Sequence, residues 1–153
     1  MRAVIQRVKH ATVRVERDGN FDVVGSIGSG LAVLVGITHD DGEAQIAKLA
    51  KKIAHLKIMR SVSGSDDPKD RVSLSEAGGA VLLVSQFTLY ADVRKGTKPS
   101  WSHAAPGSVA QPIFQQLLAA VRSYGLTVET GQFGAMMDVE LLNDGPFTIV
   151  ADI

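Results

Sequence analysis

Residues 81–89, VLLVSQFTL, are the segment that most constrains what this chain can fold into. The first four of these residues are apolar and favour β-structure, which is typical of a central strand buried on both faces. Ser85, Gln86 and Thr88 follow directly on that strand. Because a buried strand is costly to move, polar groups at its end are held in fixed positions, as a preorganised site requires. We therefore expect a functional site at this strand end.

Other strands are predicted on both sides of this segment. Polar and apolar residues alternate over residues 1–16, and the Asp-Gly pair that follows predicts a hairpin. The apolar run at residues 31–37 predicts another central strand. The remaining strands are predicted near the C-terminus, at residues 126–130, 136–142 and 147–153.

Two main helices are also predicted. The first spans residues 42–59, where apolar residues recur at intervals of three and four positions. The second runs from residue 106 to about residue 123, with Pro112 in its first turns, where proline is tolerated. Residues 61–71 are polar and predict an exposed loop. The aspartates of this loop lack the spacing of an EF-hand, so a solvated loop is favoured over a metal site.

Composition limits the class of protein. A chain of 153 residues fits one domain, spanning residues 1–153, and a hydrophobic fraction of 45% with a charged fraction of 21% is typical of a soluble globular protein. The absence of cysteine excludes disulfides and thiolate chemistry. A formal net charge of zero argues against a general nucleic-acid binder, so no DNA partner is expected. No apolar stretch approaches the ~20 residues that span a bilayer, and the N-terminus is unlike a signal peptide. We expect no membrane association and a cytoplasmic location.

Several familiar routes to catalysis are missing from the sequence. It has no G-x-S-x-G nucleophile elbow and no dinucleotide-binding fingerprint. Its four histidines do not have the spacing of zinc ligands. We expect neither a metal nor an organic cofactor.

Two polar segments remain as candidates for chemistry. Hydroxyls, amides and backbone N–H groups at residues 85–88 and 143–148 are able to hold an ester carbonyl and stabilise its oxyanion, although none is a good general base. The alternative is that residues 85–88 satisfy backbone groups at a strand end and that Gly145-Pro146 forms a plain turn. Residue types alone favour this plainer explanation and leave the isomer of the Gly145–Pro146 bond open.

The most basic short segment, residues 90–103, contains Arg94, Lys95 and Lys98. A solvated loop is the preferred explanation for it. The alternative is a local phosphate-binding lip beside the site, because cations and an aromatic ring suit a nucleic-acid end.

The order of several short motifs gives a more specific indication. SQFTL at residues 85–89 and NDGPFT at residues 143–148 stand well apart in a chain of this length, and four further segments accompany them: MRAVIQRV at 1–8, AGG at 77–79, KPSW at 98–101 and TGQFGAMM at 130–137. These segments are distributed over nearly the whole chain, from residue 1 to residue 148, and in this order the chain resembles the D-aminoacyl-tRNA deacylase family. The chain departs from the family pattern in a longer, more acidic loop at residues 61–73 and in Trp101, where phenylalanine is usual.

The resemblance implies both a fold and an activity. The implied fold is a single α+β domain in which two β-sheets form layers, two main helices pack outside, and a barrel-like association spans a homodimer. The implied activity is hydrolysis of the ester that links a D-amino acid to the 3′-terminal adenosine of tRNA, releasing free D-amino acid and tRNA, as chiral proofreading in translation. The partner is therefore the 3′ end of an aminoacylated tRNA.

The resemblance also assigns roles to residues of this chain. The catalytic residues would be Ser85, Gln86, Phe87 and Thr88. Gly145 and Pro146 would reach into the partner subunit's site and act in trans as the chiral filter that rejects L-aminoacyl-tRNA. The other expected binding residues are Asn143 and Met137 for the substrate, and Arg94, Lys95 and Lys98 for the tRNA.

Three questions about the reaction stay open. Thr88 has a hydroxyl but no adjacent base, so help from the terminal ribose 2′-OH is preferred over nucleophilic attack by Thr88. Because glycine has no side chain to exclude, glycyl-tRNA should be hydrolysed too. The alternative functions are a non-catalytic module that binds the tRNA 3′ end and a deacylase of other mischarged tRNAs.

Overall fold

Strand β1 (Arg2–Arg17) organises the sheet, because three other strands pair with it. In the computed structural model, which describes residues 1–153, one edge of β1 pairs antiparallel first with β3 (Gly30–Gly36) and then with β2 (Asn20–Ile27). The other edge of β1 pairs along almost its whole length with β6 (Met137–Asp152). The long first strand is thus shared by two parts of the sheet.

The sheet is nearly closed. Strand β4 (Ala80–Ser85) lies between β3 and β5 (Thr127–Thr130) and runs parallel to both, which gives the order β2-β1-β3-β4-β5 with β6 on the other edge of β1. The sheet curls until β2 meets β5. A Cβ atom on Gly25 would lie only 2.6 Å from the Thr130 carbonyl oxygen, so this approach requires glycine. The six strands therefore form one barrel-like sheet.

Hydrophobic side chains are buried on both faces of the central strands. A cluster of 25 residues joins one face of the sheet to α1 (Glu43–His55) and α3 (Gly107–Arg122). A second cluster of 7 residues fills the other face, inside the curved sheet. Along β4, Val81 and Leu83 belong to the first cluster, and Leu82 belongs to the second. The prediction that this strand is buried on both faces is confirmed.

The predicted fold class is confirmed, with differences in detail. The class is α+β and the two main helices pack outside the strands, but the two predicted sheets are joined through β1 into one. Helix α1 ends at His55 rather than at residue 59, because Leu56 is extended and Met59 forms a β-bridge with Val72. The strands predicted at residues 136–142 and 147–153 are one strand, β6.

A short helix, α2 (Leu74–Ala77), precedes β4 and was not predicted. The Ser73 hydroxyl accepts a hydrogen bond from the Glu76 N–H at 3.2 Å, and the Glu76 carboxylate accepts one from the Ser73 N–H at 2.7 Å. This reciprocal capping stabilises a helix that is too short to show apolar periodicity. No helix of the protein is both long enough and apolar enough to cross a lipid bilayer.

Candidate active site

The polar residues after β4 continue into one turn of 3₁₀ helix (Phe87–Tyr90). The Gln86 N–H donates to the Val35 carbonyl oxygen on β3 at 2.7 Å, which ties the turn to the neighbouring strand. The Gln86 side-chain amide in turn donates to the Thr88 hydroxyl. The sheet therefore orients Thr88 through Gln86.

Gly36, the last residue of β3, lets this 3₁₀ turn pack closely against the sheet. A Cβ atom on Gly36 would lie 3.1 Å from the Gln86 carbonyl oxygen and equally close to atoms of Leu89 and Tyr90. A side chain at this position would push the turn away from β3.

A cavity of 610 Å³ opens beside the end of β4. Of its 18 lining residues, 13 are hydrophobic, and none is Asp, Glu, His, Lys, Arg or Tyr. Four of the predicted site residues line it, namely Ser85, Gln86, Phe87 and Met137. Thr88 does not line it. The cavity thus offers apolar surface, a hydroxyl, an amide and backbone groups, but no ionisable side chain. Elsewhere in the chain, no group of three or more His, Asp or Glu side chains is placed to hold a metal ion.

Aromatic rings border this cavity. Phe87 and Trp101 meet edge to face, with ring centroids 5.3 Å apart and an interplanar angle of 72°. Both rings remain partly open to solvent, with exposed fractions of 56% for Phe87 and 41% for Trp101. Phe133, also in the wall, packs against Phe114 at 6.1 Å. Exposed rings beside an apolar cavity suit the stacking of a flat base.

The ladder between β1 and β6 is interrupted at residues 144–147, which we call the Gly-Pro bulge. Residues on either side of the bulge keep their partners on β1, and the four residues between them have none. The Gly145–Pro146 peptide bond is cis. Neither Gly145 nor Pro146 lines the cavity of its own chain.

Arg7 holds the Gly-Pro bulge from inside the protein. Its side chain is 1% exposed, and each of its five N–H donors has an acceptor. Nε donates to the Asp144 carbonyl at 3.0 Å, and Nη2 donates to the Gly145 carbonyl at 2.8 Å. Nη1 donates to the Ile58 carbonyl at 2.7 Å. The Asp66 carboxylate accepts from both Nη atoms, at 2.8 and 2.9 Å.

Asn143 supports the same bulge from its base. The side-chain amide donates to the carbonyl oxygens of Arg7, at 2.9 Å, and Phe147, at 3.2 Å. The amide nitrogen of this predicted substrate-binding residue is thus engaged with the backbone on both sides of the bulge.

Two further arginines complete an ionic cluster around the bulge. Arg60 donates through Nε and Nη2 to the Asp144 carboxylate, both at 3.0 Å. Arg71 donates through Nε to Asp66 at 3.0 Å. The guanidinium carbon of Arg71 also lies 4.7 Å from the centroid of the Phe147 ring. The bulge is therefore held by charged groups from β1 and from the loop after α1.

Both carboxylates of this cluster are held in the ionised form. Hydrogen bonds from Arg7, reinforced by Arg71, hold the pKa of Asp66 far below its ordinary value. A hydrogen bond from Arg60 likewise lowers the pKa of Asp144. The ion pairs of the cluster therefore persist throughout the neutral pH range.

The predicted basic segment is less uniformly basic than its composition indicates. Arg94 donates through Nε and Nη2 to Asp92 at 2.9 and 2.6 Å, and this pairing lowers the pKa of Asp92. Lys95 and Lys98 are exposed and form no ion pair. The charge available to a phosphate in this segment thus lies mainly on the two lysines.

Sequence reasoning missed the part played by Arg7 and by the loop at residues 61–71. The alternation of residues in β1 placed Arg7 on the same face of the strand as Ile5. An arginine on a face that also carries a buried isoleucine was the one sequence feature that could have indicated a buried charge. The loop was expected to be solvated, but Asp66 anchors it to the bulge. No local pattern distinguishes Asp66 from its exposed neighbour Asp67, so this contact could not be read from the sequence.

Comparison with known proteins identifies the family of this chain. The family model for D-Tyr-tRNA(Tyr) deacylase matches residues 4–152. A D-aminoacyl-tRNA deacylase of Kineococcus radiotolerans is 54% identical over 153 residues, covering 99% of each chain. Another, from Thermus aquaticus, is 52% identical over 152 residues, covering 99% of this chain and 95% of the relative.

Solved structures are similar over the same length. One, described as a c-Myc DNA unwinding element binding protein, has a TM-score of 0.87 at 35% identity and covers 100% of this chain and 99% of its own. A probable eukaryotic D-amino acid tRNA deacylase has a TM-score of 0.80 at 19% identity, covering 99% and 98%, and this likeness concerns the fold alone. The chain belongs to the D-aminoacyl-tRNA deacylase family, hydrolases that cleave the ester bond between an amino acid and its tRNA.

Proposed function

We propose that this chain removes D-amino acids from tRNA with the 3′-terminal adenosine seated in the cavity at the end of β4. The observation that carries the proposal is the chemistry of the cavity wall, which is mostly hydrophobic and contains no ionisable side chain. A nucleoside has a flat base and ribose hydroxyls, and it suits a pocket with aromatic rings, one hydroxyl and one amide. The wall supplies no general base, which favours a mechanism in which the substrate contributes to its own hydrolysis.

The proposed reaction is attack of water on the ester carbonyl carbon. Ser85 and the backbone N–H groups at the start of the 3₁₀ turn stabilise the oxyanion, since the first N–H groups of a helical turn lack internal partners. The terminal ribose 2′-OH relays a proton from the attacking water to O3′, since it gives up its own proton as it accepts that of the water. The bond between the carbonyl carbon and O3′ then breaks, O3′ gains a proton, and free D-amino acid and tRNA leave. Thr88, held by Gln86 and without an adjacent base, positions the substrate rather than attacking it.

A tRNA that ends in 2′-deoxyadenosine tests the role of the 2′-OH. With the D-amino acid on the 3′ oxygen in both substrates, we expect kcat for the deoxy substrate to fall by about 100-fold or more, the usual contribution of proton transfer. The KM should change little, because the base and the amino acid still bind. An equal kcat for the two substrates would contradict substrate assistance but would leave the hydrolase assignment intact.

The proposed chiral filter is the Gly145-Pro146 pair. Nothing in its own chain requires glycine at position 145, since a Cβ atom there would meet no atom within 4 Å and φ is not positive. Glycine is explained if another molecule comes close at this point. A rigid backbone that leaves no volume for an L side chain discriminates more strongly than a missing methylene, which is worth ~1–3 kcal/mol. Glycyl-tRNA has no side chain to exclude and should also be hydrolysed.

The substrate amine is proposed to bind to backbone carbonyls of this pair. The Gly145 carbonyl already accepts a hydrogen bond from the positive Arg7 guanidinium, which makes it a weaker acceptor for a second cation. The Pro146 carbonyl is therefore the better candidate for the principal amine contact.

The filter is proposed to act in trans in a homodimer. Strand β6 has 16 residues, and none of them is fully buried in the single chain. Its second edge carries no strand, and Val139, Leu142 and Val150 are exposed along it by 37%, 48% and 63%. A long unpaired strand with exposed apolar residues favours a protein partner. A second copy covering β6 would present its Gly-Pro bulge to the neighbouring cavity.

The wider role follows from this substrate. We propose chiral proofreading in translation, in the cytoplasm, where aminoacylated tRNA is used. Lys95 and Lys98 are the proposed contacts to the tRNA backbone, with Arg94 secondary because Asp92 already pairs with it. A binding module without turnover, and a deacylase of other mischarged tRNAs, remain the alternatives that the rates on D- and L-esters distinguish.

A further inference from the structure

We propose that Asp66 is a positioning residue for the Gly-Pro bulge, acting through Arg7 to hold the carbonyl groups of the filter in place. This inference rests on the proposed function, in which the bulge rejects L-aminoacyl-tRNA. Asp66 lies in the loop at residues 61–73, between α1 and α2. The loop thus serves the filter rather than only connecting two elements.

The geometry supports this chain of contacts. Asp66 accepts both Nη atoms of Arg7 in a bidentate pair, at 2.8 and 2.9 Å, and such a pair fixes the plane of the guanidinium. The remaining donors of Arg7 then point at the carbonyls of Asp144 and Gly145. Because the Arg7 side chain is 1% exposed, its donors depend on protein acceptors such as Asp66 rather than on solvent.

A second contact secures the bulge from the solvent side. Arg60 forms a bidentate pair with the Asp144 carboxylate and also lies 3.4 Å from Asp66. The residue next to Gly145 is therefore held on its backbone by Arg7 and on its side chain by Arg60. Loosening either arginine should let the filter carbonyls move without altering the cavity, which neither arginine lines.

The test is the rate of hydrolysis of D-tyrosyl-tRNA and L-tyrosyl-tRNA by Asp66→Asn. Asparagine keeps the shape of the side chain and one acceptor oxygen but loses the bidentate ionic pair. A displacement of ~1 Å changes rates by up to about 100-fold, so we expect L-ester hydrolysis to rise about tenfold or more. The KM for the D-ester should rise, because the substrate amine is proposed to bind the displaced carbonyls. The kcat for the D-ester should fall by no more than about threefold, because the catalytic strand end is untouched. A gain of activity on the L-ester is not expected from a general loss of structure.

Three further variants control the measurement. Asp66→Glu keeps the charge and should restore rejection of the L-ester in large part. Asp67→Asn removes a charge from the same loop at an exposed residue that does not contact Arg7, and it should behave as wild type. If Asp66→Asn does not fold, Arg60→Gln provides the second test, because Arg60 is 41% exposed and its replacement should be tolerated. The Arg60→Gln variant should also increase the rate of L-ester hydrolysis.

The outcomes separate this inference from the proposed function. Wild-type protein that hydrolyses neither ester, or both esters equally, contradicts the proposed function itself. Wild-type protein that is selective, with Asp66→Asn and Arg60→Gln equally selective, would overturn the positioning role of Asp66. A fall in melting temperature of Asp66→Asn with an unchanged ratio of D to L rates would show that the contact serves stability alone.

Discussion

Arg7 is buried without an unpaired donor, and this explains how a charged residue occupies the inward register of a central strand. An isolated guanidinium would be very costly to desolvate, but here one carboxylate and three carbonyls accept all five of its N–H groups. The arrangement links β1 to the loop after α1 and to the bulge in β6. Its function is therefore geometric, since it joins three segments that are distant in sequence.

Thr88 provides a contrasting case, a hydroxyl at the site without a base to activate it. Its oxygen accepts from the Gln86 amide, which is a donor and cannot take up a proton at neutral pH. The contact fixes the hydroxyl without making it a better nucleophile.

Replacement of Thr88 by alanine tests this distinction. Losing one positioning hydrogen bond costs about 0.5–1.5 kcal/mol, so Thr88→Ala should retain roughly a tenth or more of wild-type kcat on D-tyrosyl-tRNA. Removal of a true nucleophile costs on the order of a million-fold. Single-turnover kinetics would measure the difference, with Thr12→Ala as a control at a threonine on β1 that neither lines the cavity nor contacts Gln86. An inactive Thr88→Ala with a native circular dichroism spectrum would identify Thr88 as the nucleophile.

At the scale of elements, the site depends on how closely the 3₁₀ turn packs on β3. The turn begins where β4 ends, and its approach is set by Gly36 on the neighbouring strand. A small displacement of this turn would move Ser85, Gln86 and Phe87 together. Activity should therefore be more sensitive to this contact than stability is.

Gly36→Ala is the corresponding prediction. The new methyl group would meet three atoms at 3.1 Å, and overpacking of this kind costs about 1–3 kcal/mol of stability. Because the turn must shift, we expect kcat/KM for D-tyrosyl-tRNA to fall by about 10- to 100-fold. The matched control is Gly28→Ala, where a Cβ atom meets nothing within 4 Å. Equal activity of both variants and wild type would contradict the role given to this packing.

Local patterns predicted the elements well where burial is regular. The apolar run of β4 and the helical period of α1 have direct physical causes in two-sided and one-sided burial. The hairpin of β1 and β2 was predicted from its turn, but the approach of β2 to β5 depends on a non-local contact at Gly25, which no periodicity reveals. The single strand β6 was divided in the prediction because Gly145-Pro146 reads as a turn, although the strand resumes its pairing with β1 beyond it.

The same limit applies to the candidate site. The residues at the end of β4 were predictable because they follow a recognisable strand. The contacts of Asp66 and Arg60 were not, since they join the loop after α1 to residues more than 50 positions away. Phe133 lies in the TGQFGAMM segment that contributed to the family resemblance, but its place in the cavity wall was not predicted because it depends on long-range packing.

At the scale of the whole molecule, the two halves of the proposed site do not meet within one chain. The cavity is lined by the end of β4, and the Gly-Pro bulge lies on β6 outside that cavity. A homodimer through β6 would bring the bulge of one copy to the cavity of the other. In the proposed homodimer, one complete site therefore requires two copies of the chain.

Mixed dimers test this requirement. Gln86→Ala impairs the cavity, and Gly145→Ala alters the filter; a Cβ atom at position 145 meets nothing in its own chain, so folding should be unaffected. The Gln86→Ala homodimer should be poorly active, and the Gly145→Ala homodimer should be poorly selective. In a mixed dimer, one of the two composite sites contains neither change, so about half of wild-type selective activity should return. Failure of any mixture to recover activity would contradict action in trans.

The most direct measurement is hydrolysis of matched D- and L-tyrosyl-tRNA by the same protein preparation, with glycyl-tRNA in parallel. The account predicts rapid loss of the D-ester and the glycyl ester, while the L-ester decays at its spontaneous rate. Equal rates of hydrolysis of the D- and L-esters would contradict the chiral filter and would indicate a deacylase without stereoselectivity. Resistance of glycyl-tRNA would refute a purely steric filter. If the protein binds tRNA but hydrolyses none of the three esters, the assignment of catalysis to this chain is contradicted.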